Sequence, residues 1–389
     1  MAVKLYSSYA AGGGHPVMSG LAGALIGVLD GCLLNGWGLK SVDSLVVAGN
    51  VATVTINAGH SFELGSTALI AGATPSGLNG DKKVLSVTTT QITFDATGVS
   101  NQTATGSITA KVSPLGWAKP FSGTNLAAYA SNDPGSYGMF LRVDDTGTTD
   151  GRVVGYESMT DINTGSGAFP TAAQLSGGMY AGKSYQANST ARNWILVGDE
   201  RFFYLWVETD ITFAGLMWAF GDLPSFSASD VWCSTLSAQN VSQVAYAGQS
   251  TVECVSYSNT VAQSYMPRTS YGQPGAVKTQ RLGGMCWTTA AASGTSAYSS
   301  SVLKFPNNAD NTLLLSPVYM VTGGQQGLRG RYPGYYHCPQ DLTQANINHR
   351  DRYSSMPDVP GRVGLMLRHG GPGFSPSGYS VLDITGPWR

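Results

Sequence analysis

Apolar residues in this chain come in short runs that alternate with Ser and Thr and stop at Gly, Asn or Asp. That pattern suits half-buried strands joined by tight turns and leaves little room for helices. From Ser44 to Val112 the runs are Leu45-Val-Val-Ala48, Val51-Ala-Thr-Val-Thr-Ile56, Thr67-Ala-Leu-Ile70, Lys83-Val-Leu-Ser-Val87, Gln91-Ile-Thr-Phe94 and Thr105-Gly-Ser-Ile-Thr-Ala110. This block holds no Trp, Tyr or Cys, whereas Trp37 lies just before it and Trp117 just after. The change in aromatic content marks a separately folded small β-sandwich or barrel at residues 42-113, inserted into a body made of 1-41 and 114-389. The fold class expected is mainly β: a β-sandwich-like body with one short N-terminal helix and a small all-β inserted domain.

In the body, Met139-Phe-Leu-Arg-Val143 and Arg152-Val-Val-Gly-Tyr156 flank a polar turn, and Asn193-Trp-Ile-Leu-Val197 and Phe202-Phe-Tyr-Leu-Trp-Val207 flank Gly198-Asp-Glu-Arg201. Both pairs read as hairpins. Further strands are expected at Thr212 to Ala219, Val231 to Thr235, Val252 to Tyr257, Ser316 to Val321 and Gly361 to Leu367, with a helical stretch near Thr171 to Leu175. The Ser/Gly/Ala/Thr-rich segment from Gln263 to Asn311 reads as a long surface excursion. One longer helix is predicted, from about Ser19 to Leu34, because Leu21, Leu25, Val28, Leu29 and Cys32 recur at three- and four-residue spacing and Asn35-Gly36 ends the pattern. Its glycines Gly20, Gly23, Gly27 and Gly31 make it a poor helix in isolation, so it must pack against another surface.

Composition narrows the function classes. Only 12% of the 389 residues are charged, against 50 Gly and 18 Pro, where soluble domains average about 25% charged residues and about 7% Gly. Coiled coils, long-helix proteins and disordered tails do not fit. With 22 Lys+Arg against 23 Asp+Glu there is no basic excess to neutralise a row of phosphates, and no nucleic-acid partner is expected. The longest apolar stretch, Val17 to Leu29, falls short of the roughly 20 residues a membrane helix needs, so no membrane insertion is expected. Cys32 after that stretch imitates a lipoprotein signal, but Asp30 and the single upstream Lys4 argue against one. The five cysteines form no CxxC and read as buried thiols of a reducing compartment, with a Cys233–Cys254 pair as the alternative.

Candidate chemistry is sparse. Asp144, Asp145 and Asp150 crowd one turn without the spacing of a calcium loop, and read as turn residues. His337-Cys338 with His349 and His369 offers zinc-ligand types without zinc-ligand spacing. Glu157, Asp161, Asp199, Glu200 and Asp222 are the carboxylates a glycosidase would have to draw on, yet all sit beside Gly or in expected turns. Gly12-Gly13-Gly14 and Gly323-Gly324 lack the Lys-Ser/Thr of a phosphate loop. No catalytic residue, cofactor or metal is therefore expected. The densest local signal is Gly327-Leu-Arg-Gly-Arg-Tyr-Pro-Gly-Tyr-Tyr-His337. Arg329, Arg331, Tyr332, Tyr335 and Tyr336 form either a protein-contact loop or an arginine pair tied to acidic groups inside the fold.

Several ordered blocks carry a resemblance: Lys4-Leu-Tyr-Ser-Ser-Tyr9, Leu21 through Gly36, Gly116-Trp-Ala-Lys-Pro-Phe-Ser-Gly-Thr-Asn125, Phe140-Leu-Arg-Val-Asp-Asp145, Gly155-Tyr-Glu-Ser-Met-Thr-Asp161 and Leu328-Arg-Gly-Arg-Tyr-Pro-Gly334. Together they resemble a family of virion structural proteins of tailed bacteriophages. In such chains the Asn-Gly of the first helix joins the Gly-Trp block almost directly. The insert, with Gly59-His-Ser-Phe-Glu-Leu-Gly65 and Ile70 to Gly80, is similar to a small β-barrel module of phage surface proteins. The resemblance implies a non-enzymatic virion component, made in the host bacterial cytoplasm and homo-oligomeric, contacting itself and other virion proteins at the neck, collar or tail. Head decoration, or a tail protein binding a host surface glycan or receptor through Tyr332, Tyr335 and Tyr336, are the alternatives it implies.

Overall fold

A computed structural model describes the chain except residues 1, 210–214, 243–261, 283–304, 308, 323–326, 341, 343–345, 355–359 and 370–377. The described residues are mainly strand, in several antiparallel sheets, with one short α-helix.

The body is built around the strands Trp194–Gly198, Phe202–Val207 and Leu216–Asp222, paired in that order, with Lys4–Ser7 on the outer edge of the first. Every residue of these three central strands is buried. Because side chains alternate across a strand, Phe203, Leu205 and Val207 enter one hydrophobic cluster while Phe202, Tyr204 and Trp206 enter another. A strand covered on both faces needs no polar alternation, which explains the unbroken apolar run Phe202 to Val207. One face packs on a smaller antiparallel array of Ala118–Gly123, Leu126–Ala130, Phe140–Asp144, Asp150–Tyr156 and Met179–Gly182. The other is covered by the C-terminal strands Gly327–Cys338, Gly364–His369 and Gly378–Asp383. The body is thus sandwich-like, and both expected hairpins are present.

Local differences have physical causes. Residues Gly20 to Gly23 do not enter the predicted helix: the α-helix runs Ala24–Leu29 and widens into a π-turn over Asp30–Asn35, closed by Gly36 N–H on Gly31 O at 2.8 Å. Asp145 lies beneath its first turn and accepts from Ile26 N at 3.0 Å, so a distant carboxylate orders the helix start. Thr171 to Leu175 forms only a hydrogen-bonded turn. The presumed excursion from Gln263 contains the strands Ala262–Arg268 and Pro274–Leu282, which extend the large sheet from Ser234–Gln239. That last strand begins three residues later than the sequence suggests. The strands expected at 212–219 and 252–257 fall partly or wholly outside the described residues.

The insert consists of two antiparallel sheets. One orders Trp37–Ser41, Thr109–Val112, Thr67–Ala71 and Gly80–Lys83; the other orders Ser86–Val87, Gln91–Asp95, Val51–Thr55, Ser44–Ala48 and Gln102–Thr103. Leu45, Val47, Val54, Ile70, Ile92 and Phe94 are buried in its core. Trp37–Ser41 pairs with an insert strand, so the structural boundary lies at Gly36 rather than after Ser41. The entry and exit chains touch: Leu33 O accepts from Gly116 N at 2.9 Å and from Trp117 N at 3.0 Å. Gly36 has φ 63°, and a Cβ there would sit 1.9 Å from Val112 O, so only glycine fits at this crossing.

Candidate functional site

The Arg/Tyr segment is not a loop. It is the strand Gly327–Cys338, flanked by Ser316–Thr322 and Gly378–Asp383. Arg329 is 2% exposed and forks onto Asp230, Nε to Oδ2 at 2.5 Å and Nη2 to Oδ1 at 2.8 Å, with Nη1 donating to Arg268 O at 3.0 Å. Tyr332 is buried, its hydroxyl 2.6 Å from Ser237 Oγ. Tyr335 stacks on Tyr204 at 5.7 Å, and buried Tyr336 accepts from Arg331 Nη2 at 2.6 Å. The expectation of an exposed contact loop is corrected: Arg329, Tyr332, Tyr335 and Tyr336 are interior groups. Arg331 is half-buried against Tyr336, and Leu328 alone of the apolar side chains in this strand is strongly exposed.

Of the remaining candidate carboxylates, Glu157, Asp161, Asp199 and Asp222 are engaged in the fold, while burial raises the half-buried Glu200 carboxyl above its ordinary range. Glu157 takes a bidentate pair from Arg268 at 2.8 and 2.6 Å. Asp161 receives Asn163 N, and Asp199 receives the amides of Arg201 and Phe202, both at 2.8 Å. Asp222 accepts from Ser136, Ser234 and Tyr137 N, and burial raises its carboxyl above the usual range. Asp145 is fully buried with Lys183 at 2.5 Å, a buried ion pair where the sequence suggested a turn. Among the described residues no group of His, Cys, Asp and Glu could hold a metal ion. Cys32, Cys233 and Cys338 are free buried thiols; Cys254 lies outside the described residues.

The residues that do converge on open space line a cleft of about 1050 Å³ where the insert meets the body. The Gly-rich turn after Tyr9 supplies one wall, Gly38 to Lys40 and Ala58 to Leu64 a second, Val87 to Thr89 a third, and His349 to Arg352 the floor. Gly12 permits this meeting: a Cβ there would lie 1.6 Å from His60 O. His60 is biased toward its neutral form. Its Nδ1 accepts from Phe62 N at 3.3 Å, Nε2 faces Gln91 O at 3.3 Å, and burial lowers its pKa. Glu63 is the main acid of the cleft, with Ser7 Oγ at 2.6 Å on Oε1, Arg350 Nη2 at 3.1 Å and Arg352 Nη2 at 3.6 Å on Oε2.

Arg350 has φ 72°, uncommon for a residue with a side chain. Its amide bonds to Met366 O at 2.8 Å and its guanidinium lies 4.2 Å over the Tyr9 ring. His349 stacks on Trp206 at 4.4 Å and its Nδ1 accepts from Arg368 N at 3.2 Å, which leaves the proton on Nε2. Burial, then the positive charges of Arg350 and Arg368, push its pKa down to about 3. Of this floor, the sequence pointed only to His349, and that as a zinc-ligand type. The available signal was Asn348-His-Arg-Asp-Arg-Tyr353, a dense charge cluster in a chain with 12% charged residues.

No helix among the described residues is long and apolar enough to cross a membrane. Compared with known proteins, the chain matches no family model and no curated protein.

Proposed function

We propose that this chain is a non-catalytic, homo-oligomeric structural component of a tailed-bacteriophage particle, exposed on the neck, collar or tail. The observation that carries the reading is the convergence of the resembling sequence blocks on one structural junction. Leu21 to Gly36 and Gly116 to Asn125 meet through Leu33 O, and Phe140 to Asp145 reaches the same helix through Asp145 on Ile26 N. The insert leaves and re-enters the body at that junction, so a relative without it needs only a short connection there.

The fate of the charged groups supports a scaffold role. Asp145, Asp199, Asp222, Asp230 and Glu157 bond arginines, lysine, backbone amides or hydroxyls of the fold itself, an arrangement that secures one packed geometry. A chain copied around a symmetric ring repeats each contact in every subunit, so a low surface charge favours assembly. Tyr332 and Tyr335 have no surface to offer a glycan, which removes the aromatic platform of the receptor-binding alternative. Antibody labelling of purified particles tests the reading in electron micrographs. Label clustered at the neck or tail is expected; unlabelled particles from a culture that expresses the chain overturn it.

A further inference from the structure

We propose that the cleft between insert and body binds an extended peptide segment of a partner protein, and that Arg352 receives an acidic side chain of that peptide. The inference goes beyond the virion role and does not depend on it.

Two features of the cleft point to a peptide. First, two of its walls carry edge strands. Trp37–Ser41 pairs only with Thr109–Val112, and Ser86–Val87 only with Gln91–Asp95, so among the described residues each leaves one row of backbone N–H and C=O groups without a ladder partner. Gly38, Leu39 and Lys40 of the first strand, and Val87 of the second with Thr88 and Thr89 after it, line the cleft. An unpaired strand edge is a template for an added strand, and main-chain pairing of this kind gives affinity while alternate side-chain pockets give selectivity.

Second, the rim is aliphatic. Leu39 is 64% exposed, Leu64 42% and Val87 38%. Three branched side chains held in water around one opening suit the alternate apolar residues of an extended peptide. A saccharide would instead call for an aromatic platform. The one Tyr on the lining, Tyr9, already has the Arg350 guanidinium over its ring.

The floor sets the charge. Lys40, Arg350 and Arg352 face Glu63 and Asp351, so the lining carries one excess positive charge. Asp351 accepts from Asn348 N at 2.7 Å, and Glu63 is shared by both arginines and Ser7. Arg350 makes the hydrogen bond to Glu63. Arg352 has only the 3.6 Å ion-pair contact, and among the described residues its guanidinium makes no hydrogen bond. A half-buried guanidinium with unused donors matches the two oxygens of a carboxylate. A peptide carboxylate there would also offset the repulsion between the two neighbouring arginines.

The test uses the full chain and two displayed libraries of nonapeptides, random at eight positions and fixed at the centre as Glu in one and Gln in the other. On the wild-type protein the Glu pool should be enriched about tenfold or more over the Gln pool, the range a hydrogen bond to a charged group supplies. Arg352→Leu should bring that ratio to about one without moving the melting temperature, and Leu39→Asp on the rim should reduce enrichment of both pools. If Arg352→Leu fails to fold, Arg352→Lys keeps the charge without the fork and should still lower the ratio. Equal enrichment of the two pools, a ratio unchanged in the Arg352 variant, or no enrichment of either pool overturns the proposal. So does binding of an oligoglucuronate where neither peptide pool binds, which would make the site a glycan site.

Discussion

At the residue scale, the stability of this chain leans on buried ionic groups with partners far away in sequence. Asp230 and Arg329 are each 2% exposed and lie 99 residues apart, yet share two hydrogen bonds. Removing one member of such a pair leaves the other charged and unpaired in the interior, which costs about 3–5 kcal/mol. Arg329→Ala is therefore expected to lower the denaturant midpoint sharply, while Arg331→Ala, at a half-buried site, changes stability by about 1 kcal/mol or less. Equal small effects from both would return Arg329 to the surface. The buried imidazoles give a pH dependence. His349 and His369 both have pKa values pushed down to about 3 from 6.5, mainly by burial. Between those limits the unfolded chain binds protons that the folded chain does not, so stability is lost as pH falls below 6.5. At pH 5 the loss is about 2 kcal/mol per imidazole. Urea titrations at pH 7 and pH 5 check this, and His349→Phe, which keeps the stack on Trp206, should remove about half of the difference. The sequence left this open: the stretch of Gly, Pro, Arg and Tyr around Arg329 and Tyr332 reads equally as a contact loop or as arginines tied to internal acids, because its acidic partner is so distant.

At the scale of elements, legibility followed periodicity. The hairpins Phe140–Asp144 with Asp150–Tyr156, and Trp194–Gly198 with Phe202–Val207, were plain because turn residues and β-rich runs agree there. The insert runs beginning at Leu45, Val51, Thr67 and Gln91 were plain for the same reason, whereas Lys83 to Val87 divides between strands of two different sheets and Thr105 to Ala110 meets the strand Thr109–Val112 only at its end. The helix was visible only in part. Its apolar spacing continues to Cys32, but nothing local reports the change to π geometry after Leu29, which lets the chain cross Val112 at Gly36. Such a widened turn often sits where a segment has been accommodated or a site formed. Gly36→Ala is expected to destabilise by more than about 1 kcal/mol from the left-handed backbone alone, with the contact to Val112 O adding to it. Thermal melts of this variant beside Gly27→Ala check the prediction. A Cβ at Gly27 meets nothing within 4 Å, so that change should be neutral or stabilising. The cleft was hidden because it is assembled from five separated segments, each unremarkable by itself.

At the scale of the whole molecule, the two sheets between Trp37 and Val112 are tied to the body by several anchors. Lys4 Nζ bonds Asp81 at 2.6 Å, Tyr6 OH donates to Ser113 O at 2.7 Å, and Lys83 Nζ donates to Ile384 O at 2.7 Å, while Trp37 packs 6.1 Å from Trp194. Deleting Trp37 to Pro114 and joining Gly36 to Leu115 through a short Gly/Ser linker should leave a folded body with a lower melting temperature. These anchors and the insert's share of the larger hydrophobic cluster are lost, but the body side chains packed on both faces of Phe202 to Val207 remain. Near-ultraviolet circular dichroism checks it, and loss of all fixed aromatic signal would mean that insert and body depend on a single core. The proposed virion role rests on ordered sequence blocks that meet at one junction, so its most direct test is a count. Quantitative mass spectrometry on gradient-purified particles, with isotope-labelled peptides of this chain and of the major capsid protein, measures copies per particle. A fixed, small symmetric number, about three to twelve, is the predicted result for a ring at the neck or tail. Absence from the particles, with the chain remaining in the soluble lysate, contradicts it.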